Sequence, residues 1–241
     1  MRFKKLRDFL CLFHVVLCAM VFNQQSFGGT WVDDFEDDST QEWELFNTFD
    51  GSAVWRIDAG EAVSETFEPR HFPTIWATGE PDWRNYSLSC KAKLVEAKKE
   101  PATLGLILHQ RWEESSFYVC QILYPLEVIH ITKIHSGNVS TIGEFDFAAK
   151  LNRWYTLTAS IDSSEILKRA KLKFQIDDEV FTVTDRNSIK SGKAGLEVSG
   201  AQVRFDDVEI TGSNIPDGGP GTLSVEPSGK LATTWGKLKR Q

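Results

Sequence analysis

Long apolar runs are almost missing from this chain, and so are the residues that staple small scaffolds. Four cysteines in 241 residues are too few for a disulfide framework. No Gly-rich phosphate loop, no Cys or His pair at zinc spacing and no nucleophile-elbow sequence occurs, so the sequence offers no signature of those chemistries. No segment reads as a helix of credible length, which excludes the strand–helix alternation of a parallel α/β sheet. Positive charge is short as well, with 27 Lys and Arg against 34 Asp and Glu, a net −7. Phosphate binding needs a basic surface, so neither nucleic acid nor an anionic membrane is an expected partner.

The one long apolar run lies at the start. Arg2, Lys4, Lys5 and Arg7 precede Phe9–Phe22, which is nearly all apolar but too short for a stable bilayer anchor. Ser26-Phe27-Gly28 then places small residues before a cut at Gly29. Residues 1–28 are therefore expected to be a secretory signal peptide, leaving a secreted chain with no membrane insertion. Its removal takes four basic charges and one acidic charge, which moves the net charge from −7 to about −10. Cys11 and Cys18 leave with it. The remaining pair, Cys90 and Cys120, alternates with polar residues on strands that the Leu106–His109 strand is expected to separate. Neighbouring strands lie about 4.8 Å apart, so skipping one leaves too wide a gap for a disulfide. Two buried free thiols are expected, and a bridge is the alternative if the strand order differs.

What the chain has in abundance is aromatics, with eight Trp, sixteen Phe and four Tyr. Strands favour them, and so do surfaces that bind sugars. From Thr30 onward the pattern is strand and turn. Tyr86, Leu88, Cys90, Ala92 and Leu94 alternate with Ser87, Ser89, Lys91 and Lys93, the signature of a half-buried antiparallel strand. Trp55 and Ile57 lead into the turn Asp58-Ala59-Gly60, and Leu172, Phe174 and Ile176 lead into Asp177-Asp178. The middle of the chain, Gly105–Leu123, reads as a hairpin whose polar tip runs from Gln110 to Ser116. Its alternation places Leu106 and Leu108 on one face, with Ile107, His109 and Arg111 on the other. About a dozen short strands predict an all-β, two-sheet antiparallel sandwich. Asn214–Gly221 reads as a Pro/Gly linker, and residues 213–241 as linker and short basic tail.

Several of these pieces recur in a familiar order. Trp55-x-Ile57-x-x-Gly60, the strand Asn85–Leu94, Gly105-Leu106, Phe117-Tyr118-Val119, Trp154-Tyr155, Gly195-Leu196 and Val203–Val208 resemble the concanavalin A-like (laminin-G-like) jelly-roll superfamily. The pattern is most similar to domains grouped with 3-keto-disaccharide hydrolases. The resemblance covers roughly residues 29–212. It implies two curved antiparallel sheets, with a concave face that receives extended glycans and is lined by the outward set of the middle hairpin. It does not fix an activity, because binders, hydrolases and structural modules share the fold.

Glycans are held by flat aromatics against their C–H faces and by planar groups against their hydroxyls. His109, Arg111, Trp112 and Gln121 offer both, and Arg56, Trp76 and Trp83 are candidates to join them. Non-catalytic carbohydrate binding is the expected role, with a glycan or polysaccharide as partner. The alternatives are a glycoside-cleaving enzyme of the 3-keto-disaccharide hydrolase type, with His109, Glu113 and Glu114 as its groups, and a structural or adhesive module. Glu144-Phe145-Asp146 begins the alternating acidic strand motif of the related glucanases, but Ala148 and Ala149 follow and the third carboxylate is missing. In Val203–Ile210 the apolar parity switches, which predicts a β-bulge at Asp206-Asp207. The resemblance implies that the first and last strands lie side by side. Asp33, Asp34 and Glu36 would then approach Asp206 and Asp207, a cluster expected as a structural Ca²⁺ site through Asp34, Asp206 and Asp207.

Overall fold

A computed structural model describes residues 28–46, 54–66, 73–164 and 166–220. The expected signal peptide and the basic tail fall almost wholly outside these residues. In chain order the strands are β1 (Gly29–Asp33), β2 (Glu44–Phe46), β3 (Val54–Asp58), β4 (Glu61–Glu65) and β5 (Thr74–Thr78). Then come β6 (Tyr86–Ala97), β7 (Ala102–Arg111), β8 (Ser116–Tyr124), β9 (Val128–His135) and β10 (Asn138–Asp146). The last are β11 (Trp154–Ser164), β12 (Arg169–Ile176), β13 (Glu179–Asp185), β14 (Lys193–Ser199) and β15 (Ala201–Gly212). A 3₁₀ turn, Trp112–Glu114, caps the β7–β8 hairpin. Among the described residues no helix is long and apolar enough to cross a membrane.

These strands form two antiparallel sheets. One runs β13-β12-β11-β6-β15-β4-β3, with β1 added beside β15, and the other runs β10-β9-β8-β7-β14-β5-β2. The fold is the expected two-sheet sandwich. Alternation explains which faces meet: Leu88, Cys90 and Leu94 of β6 face Leu104, Leu106 and Leu108 of β7 in one continuous core. Burial of such side chains contributes about 25 cal/mol per Å² of apolar surface. The strand β7 is hidden on both faces, because Ile107 joins Ile75, Ala77, Phe117, Val119 and Ile134 in a second buried cluster on the outer side of the seven-stranded sheet.

Cys90 and Cys120 are buried free thiols, as expected, but for another reason. They lie in different sheets, on β6 and β8. The strand between them in sequence, β7, belongs to the sheet of β8 and pairs directly with it. Burial pushes the Cys120 thiol up to about 12 and raises Cys90 as well, so neither is a thiolate near neutral pH.

The bulge at Asp206-Asp207 is present. The pairing of β15 with β6 skips between Asp206 and Glu209, and Asp207 adopts φ 50°. That insertion lets Val203, Phe205, Val208 and Ile210 all reach the core. As the resemblance implied, β1 pairs with β15. The segment read as a linker is tied to this edge: Val32 N–H donates to the Gly218 carbonyl at 2.9 Å, Gly218 N–H donates to Thr30 O at 3.0 Å, and Ile215 is buried.

One end of the core is an aromatic stack. Trp76 lies 4.7 Å from Trp43 and, across the layer, 5.1 Å from Trp55, both stacked on it, and Trp55 stacks on Phe205 of its own sheet. Trp43 donates its indole N–H to Asp33 at 2.7 Å. Trp76→Ala empties the centre of this stack and is expected to cost about 3–5 kcal/mol, read as a lowered urea midpoint. An unchanged midpoint would contradict this packing role.

Candidate functional site

The β7–β8 hairpin is not a plain alternating ladder. Its pairing skips between Leu108 and Arg111, and His109 adopts φ 52°, so a bulge reverses the side chain that simple alternation placed on the outer face. His109 is fully buried between Tyr86 and Tyr118. Its main-chain N–H donates to the Tyr86 hydroxyl at 2.9 Å. The ring Nδ1–H donates to the Ile189 carbonyl at 2.9 Å, while Nε2 has no partner. Burial pulls its pKa down to about 4, helped by Arg84 and Arg111. The expectation that His109 faces a ligand on the sheet surface is thus corrected: it is an interior brace.

That brace holds the segment 185–193. Tyr86 donates its hydroxyl to Lys193 O at 3.0 Å. Ile189 N–H donates to Tyr118 Oη at 3.0 Å, and that hydroxyl donates to Asp185 Oδ2 at 2.7 Å. Burial pushes the Asp185 carboxyl up, but Lys133, 2.7 Å away, and Tyr118 outweigh it and hold the pKa below the usual carboxylate value.

Beyond the bulge the tip residues come together. Arg111, Trp112, Glu113 and Glu114 line a groove of about 250 Å³ with Phe46, Glu44, Lys193 and Gln110. Trp112 is 37% exposed and sits 5.0 Å from the Phe46 ring. Arg111 is fixed by Glu114, which accepts from Nε at 2.7 Å, and by Ser191 Oγ at 3.2 Å. Lys193 pairs with Glu44 at 2.5 Å. Gln110 is almost wholly buried in the wall, and its Nε2 has no hydrogen-bond partner. An unsatisfied buried amide costs about 1–3 kcal/mol unless something accepts from it.

A second polar set crosses the same outer face. Paired positions run from Glu197 of β14 to Gly105, Gln121, His130 and Glu144 on successive strands. His130 Nε2 lies 3.0 Å from Glu144 Oε2. At the opposite end Glu197 is fully buried, accepts from Thr103 Oγ1 at 2.6 Å through Oε1, and leaves Oε2 without a partner. Burial pushes its carboxyl up to about 7, against the Thr103 hydrogen bond. Gly105 adds no side chain to this row, because a Cβ there would lie 2.4 Å from Cys120 O and 2.9 Å from Gln121 Cα.

The other candidates lie apart. Gln121 belongs to this row and not to the groove. Trp76 and Trp83 are buried, and Trp76 is consumed by the aromatic stack. Arg56 sits on the other sheet, paired with Glu65 at 3.1 Å. Asp146 lines a separate cavity of about 630 Å³ at the far end of β8, with Glu127, Asp178 and Glu179. Arg153 in that cavity is held by Asp177 at 2.8 Å, and among the described residues no unpartnered buried polar atom lines it. At the β15 bulge Asp207 pairs with Lys91, Asp206 Oδ1 accepts from Asp207 N–H, and Asp34 Oδ1 accepts from Glu36 N–H. Asp33 is turned inward to Trp43. Among the described residues no three acidic, His or Cys side chains gather to hold a metal, so the 6–8 oxygens that Ca²⁺ takes are not assembled from these side chains.

The sandwich is shared with known proteins. It is similar to carbohydrate binding module CBM66 from Bacillus subtilis, with a TM-score of 0.56 and 14% identity over 70% of this chain and 94% of that one. The fold is a concanavalin A-like jelly roll. SCLam, a non-specific endo-β-1,3(4)-glucanase of family GH16, gives a TM-score of 0.53 at 12% identity, covering 78% of this chain and 92% of its own. A native glycosidic hydrolase gives 0.56 at 10%, covering 78% and 97%. Neither a family model nor a curated protein matches the sequence. At such identities these likenesses show the fold, and function rests on the site.

The two buried titrating groups oppose each other. The unfolded chain protonates His109 below its ordinary 6.5 while the folded protein resists until about 4, so its contribution is complete above 6.5 and lost as the pH falls towards 4. Folded Glu197 keeps a proton that the unfolded chain releases above 4.5, so its contribution is complete below 4.5 and lost as the pH rises to about 7. Each linkage is on the order of 3 kcal/mol. In urea titrations at stepped pH, Glu197→Gln should gain stability from pH 4.5 to 6.5 and His109→Gln should lose it, with the parent lying between. Parallel profiles for all three proteins would contradict these assignments.

Proposed function

We propose that this is a secreted, non-catalytic carbohydrate-binding domain whose binding site is the groove at the tip of the β7–β8 hairpin. The observation that carries the reading is the exposed Trp112, backed by Phe46 and set beside the unpartnered amide of Gln110. An aromatic plane takes the apolar face of a pyranose ring, and a fixed guanidinium and a free amide take its hydroxyls. Arg111 is already held by Glu114 and Ser191, so little side-chain freedom remains to be lost on binding. The solved structures sharing the fold include a carbohydrate binding module and a glucanase, which supports the reading without fixing the sugar. Secretion is proposed on the leader-like composition of residues 1–28.

Glu113 and Glu114 also line the groove, so hydrolysis of a 3-keto-disaccharide is the alternative reading. In it a pair of carboxyl groups would act as acid and base. Glu114 is committed to Arg111 through Oε1, which argues against a free general acid there. Two measurements separate the readings. A binder quenches or shifts Trp fluorescence with neutral oligosaccharides and releases no product, and Trp112→Ala weakens binding by at least about tenfold, which is roughly 1.4 kcal/mol. Unchanged affinity in Trp112→Ala removes the groove as the site, and product release from a 3-keto-glycoside replaces binding with catalysis.

A further inference from the structure

The charges around the hairpin-tip groove are layered. Its lining carries three carboxylates, Glu44, Glu113 and Glu114, against two cations, Arg111 and Lys193. Each cation is already matched from within. Lys193 Nζ lies 2.5 Å from Glu44 Oε1, and Arg111 turns both Nε and Nη2 to Glu114 Oε1, at 2.7 and 2.5 Å. The remaining Arg111 nitrogen, Nη1, donates to Ser191 Oγ at 3.2 Å and reaches Pro81 O at 3.5 Å.

The two members of each pair sit at different depths. The Lys193 side chain is 17% exposed and its Glu44 partner 59%, while Arg111 is 33% exposed and Glu114 54%. A ligand entering from solvent therefore meets the carboxylates first and the cations behind them. The exposed Glu113 adds a third negative group to the same lining. The chain as a whole strengthens this bias, with a net charge of −7. Away from the pairs the lining is uncharged: Trp112 against Phe46, and the amide of Gln110.

We propose that the groove selects uncharged saccharides against acidic ones, and that Glu44 and Glu114 are the residues that set this selectivity. The inference rests on the carbohydrate-binding reading of the same groove. A uronic acid or sulfated sugar can reach Arg111 or Lys193 only by displacing the carboxylate already there. The displaced group stays tethered beside the newcomer, so the site gains an unpaired negative charge, and like charges so placed repel. A neutral sugar asks for no such exchange. It takes the Trp112 plane through its C–H face and the Gln110 amide through a hydroxyl, and it leaves both ion pairs intact. Selectivity is thus built by repelling the wrong ligand and not by extra contacts to the right one.

The test is calorimetry on the full chain at about pH 7, where uronic acids are ionised, with neutral gluco-oligosaccharides and uronic acid oligosaccharides of equal length. The parent is expected to bind the neutral series at least about tenfold more tightly. Glu44→Gln and Glu114→Gln each keep the side-chain shape and free one cation, and each should cut that ratio at least about threefold. Both positions are exposed, so the fold tolerates either change. Glu209→Gln, at an exposed position of β15 in the other sheet, makes the same change in net charge and should leave the ratio as it is. Raising the salt from about 0.05 to about 0.5 M should shrink the parent's ratio, because screening weakens the repulsion. A parent that binds the acidic series as tightly as the neutral one, while Trp112→Ala weakens both, overturns the selectivity and leaves the groove reading intact. An unchanged ratio in either Gln variant of the groove, an equal change in Glu209→Gln, or a parent ratio indifferent to salt overturns it as well. A parent that binds neither series overturns both readings.

Discussion

The arrangement of the whole binding end depends on one irregularity, the bulge in β7 between Leu108 and Arg111. Without it, His109 and Arg111 would share the outer face. With it, His109 drops between the sheets, where two tyrosines and the Ile189 carbonyl enclose it, and the chain beyond is free to carry Trp112 out over Phe46. The cost of a positive φ at a non-glycine residue, of order 1–3 kcal/mol, is offset by the hydrogen bond from its own N–H to Tyr86. Bulges re-aim side chains next to functional surfaces elsewhere, and here one separates structural polarity from exposed polarity.

The buried polar set extends that logic. Tyr86, His109, Tyr118, Asp185 and Lys133 fasten the segment before β14 to β6 of one sheet and to β7, β8 and β9 of the other. Ser191 and Lys193, which lie on that segment, are thereby placed against Arg111 and Glu44. Networks of this kind specify one arrangement when every member is satisfied. The exceptions are informative. His109 Nε2 lies in the interior, while Gln110 Nε2 and Glu197 Oε2 belong to the groove wall and the outer face.

Much of the architecture was legible in the residues because period-two alternation survives in the long strands. Tyr86–Leu94 reads correctly position by position, and the parity switch in Val203–Ile210 foretold its bulge. Three-residue β2 was not foreseen, since Glu44-Leu45-Phe46 is too short for any period to show. The bulge in β7 was also invisible: nothing in Leu-Ile-Leu-His-Gln-Arg marks a break, and only the φ of His109 shows it. Of the expected site, Arg111, Trp112, Glu113 and Glu114 assemble because they are neighbours in a tip. Arg56 does not join them because β3 belongs to the other sheet, and Trp76, though in the same sheet, faces the core; both depend on long-range pairing that local pattern does not encode. For the same reason the row through Gln121 and His130 emerged only with register, although a lone Glu amid Gly195-Leu196 and Val198 was a signal that Glu197 is unusual.

The account stands on ligand contact at the hairpin tip. Side-chain NMR on the folded chain, titrated with a neutral oligosaccharide, reads this directly through the Trp112 indole and the Gln110 amide. Both signals are predicted to shift together and saturate at one affinity. Shifts confined to the Glu127–Asp146 end of the sandwich, or a Gln110 amide that never moves, would contradict it.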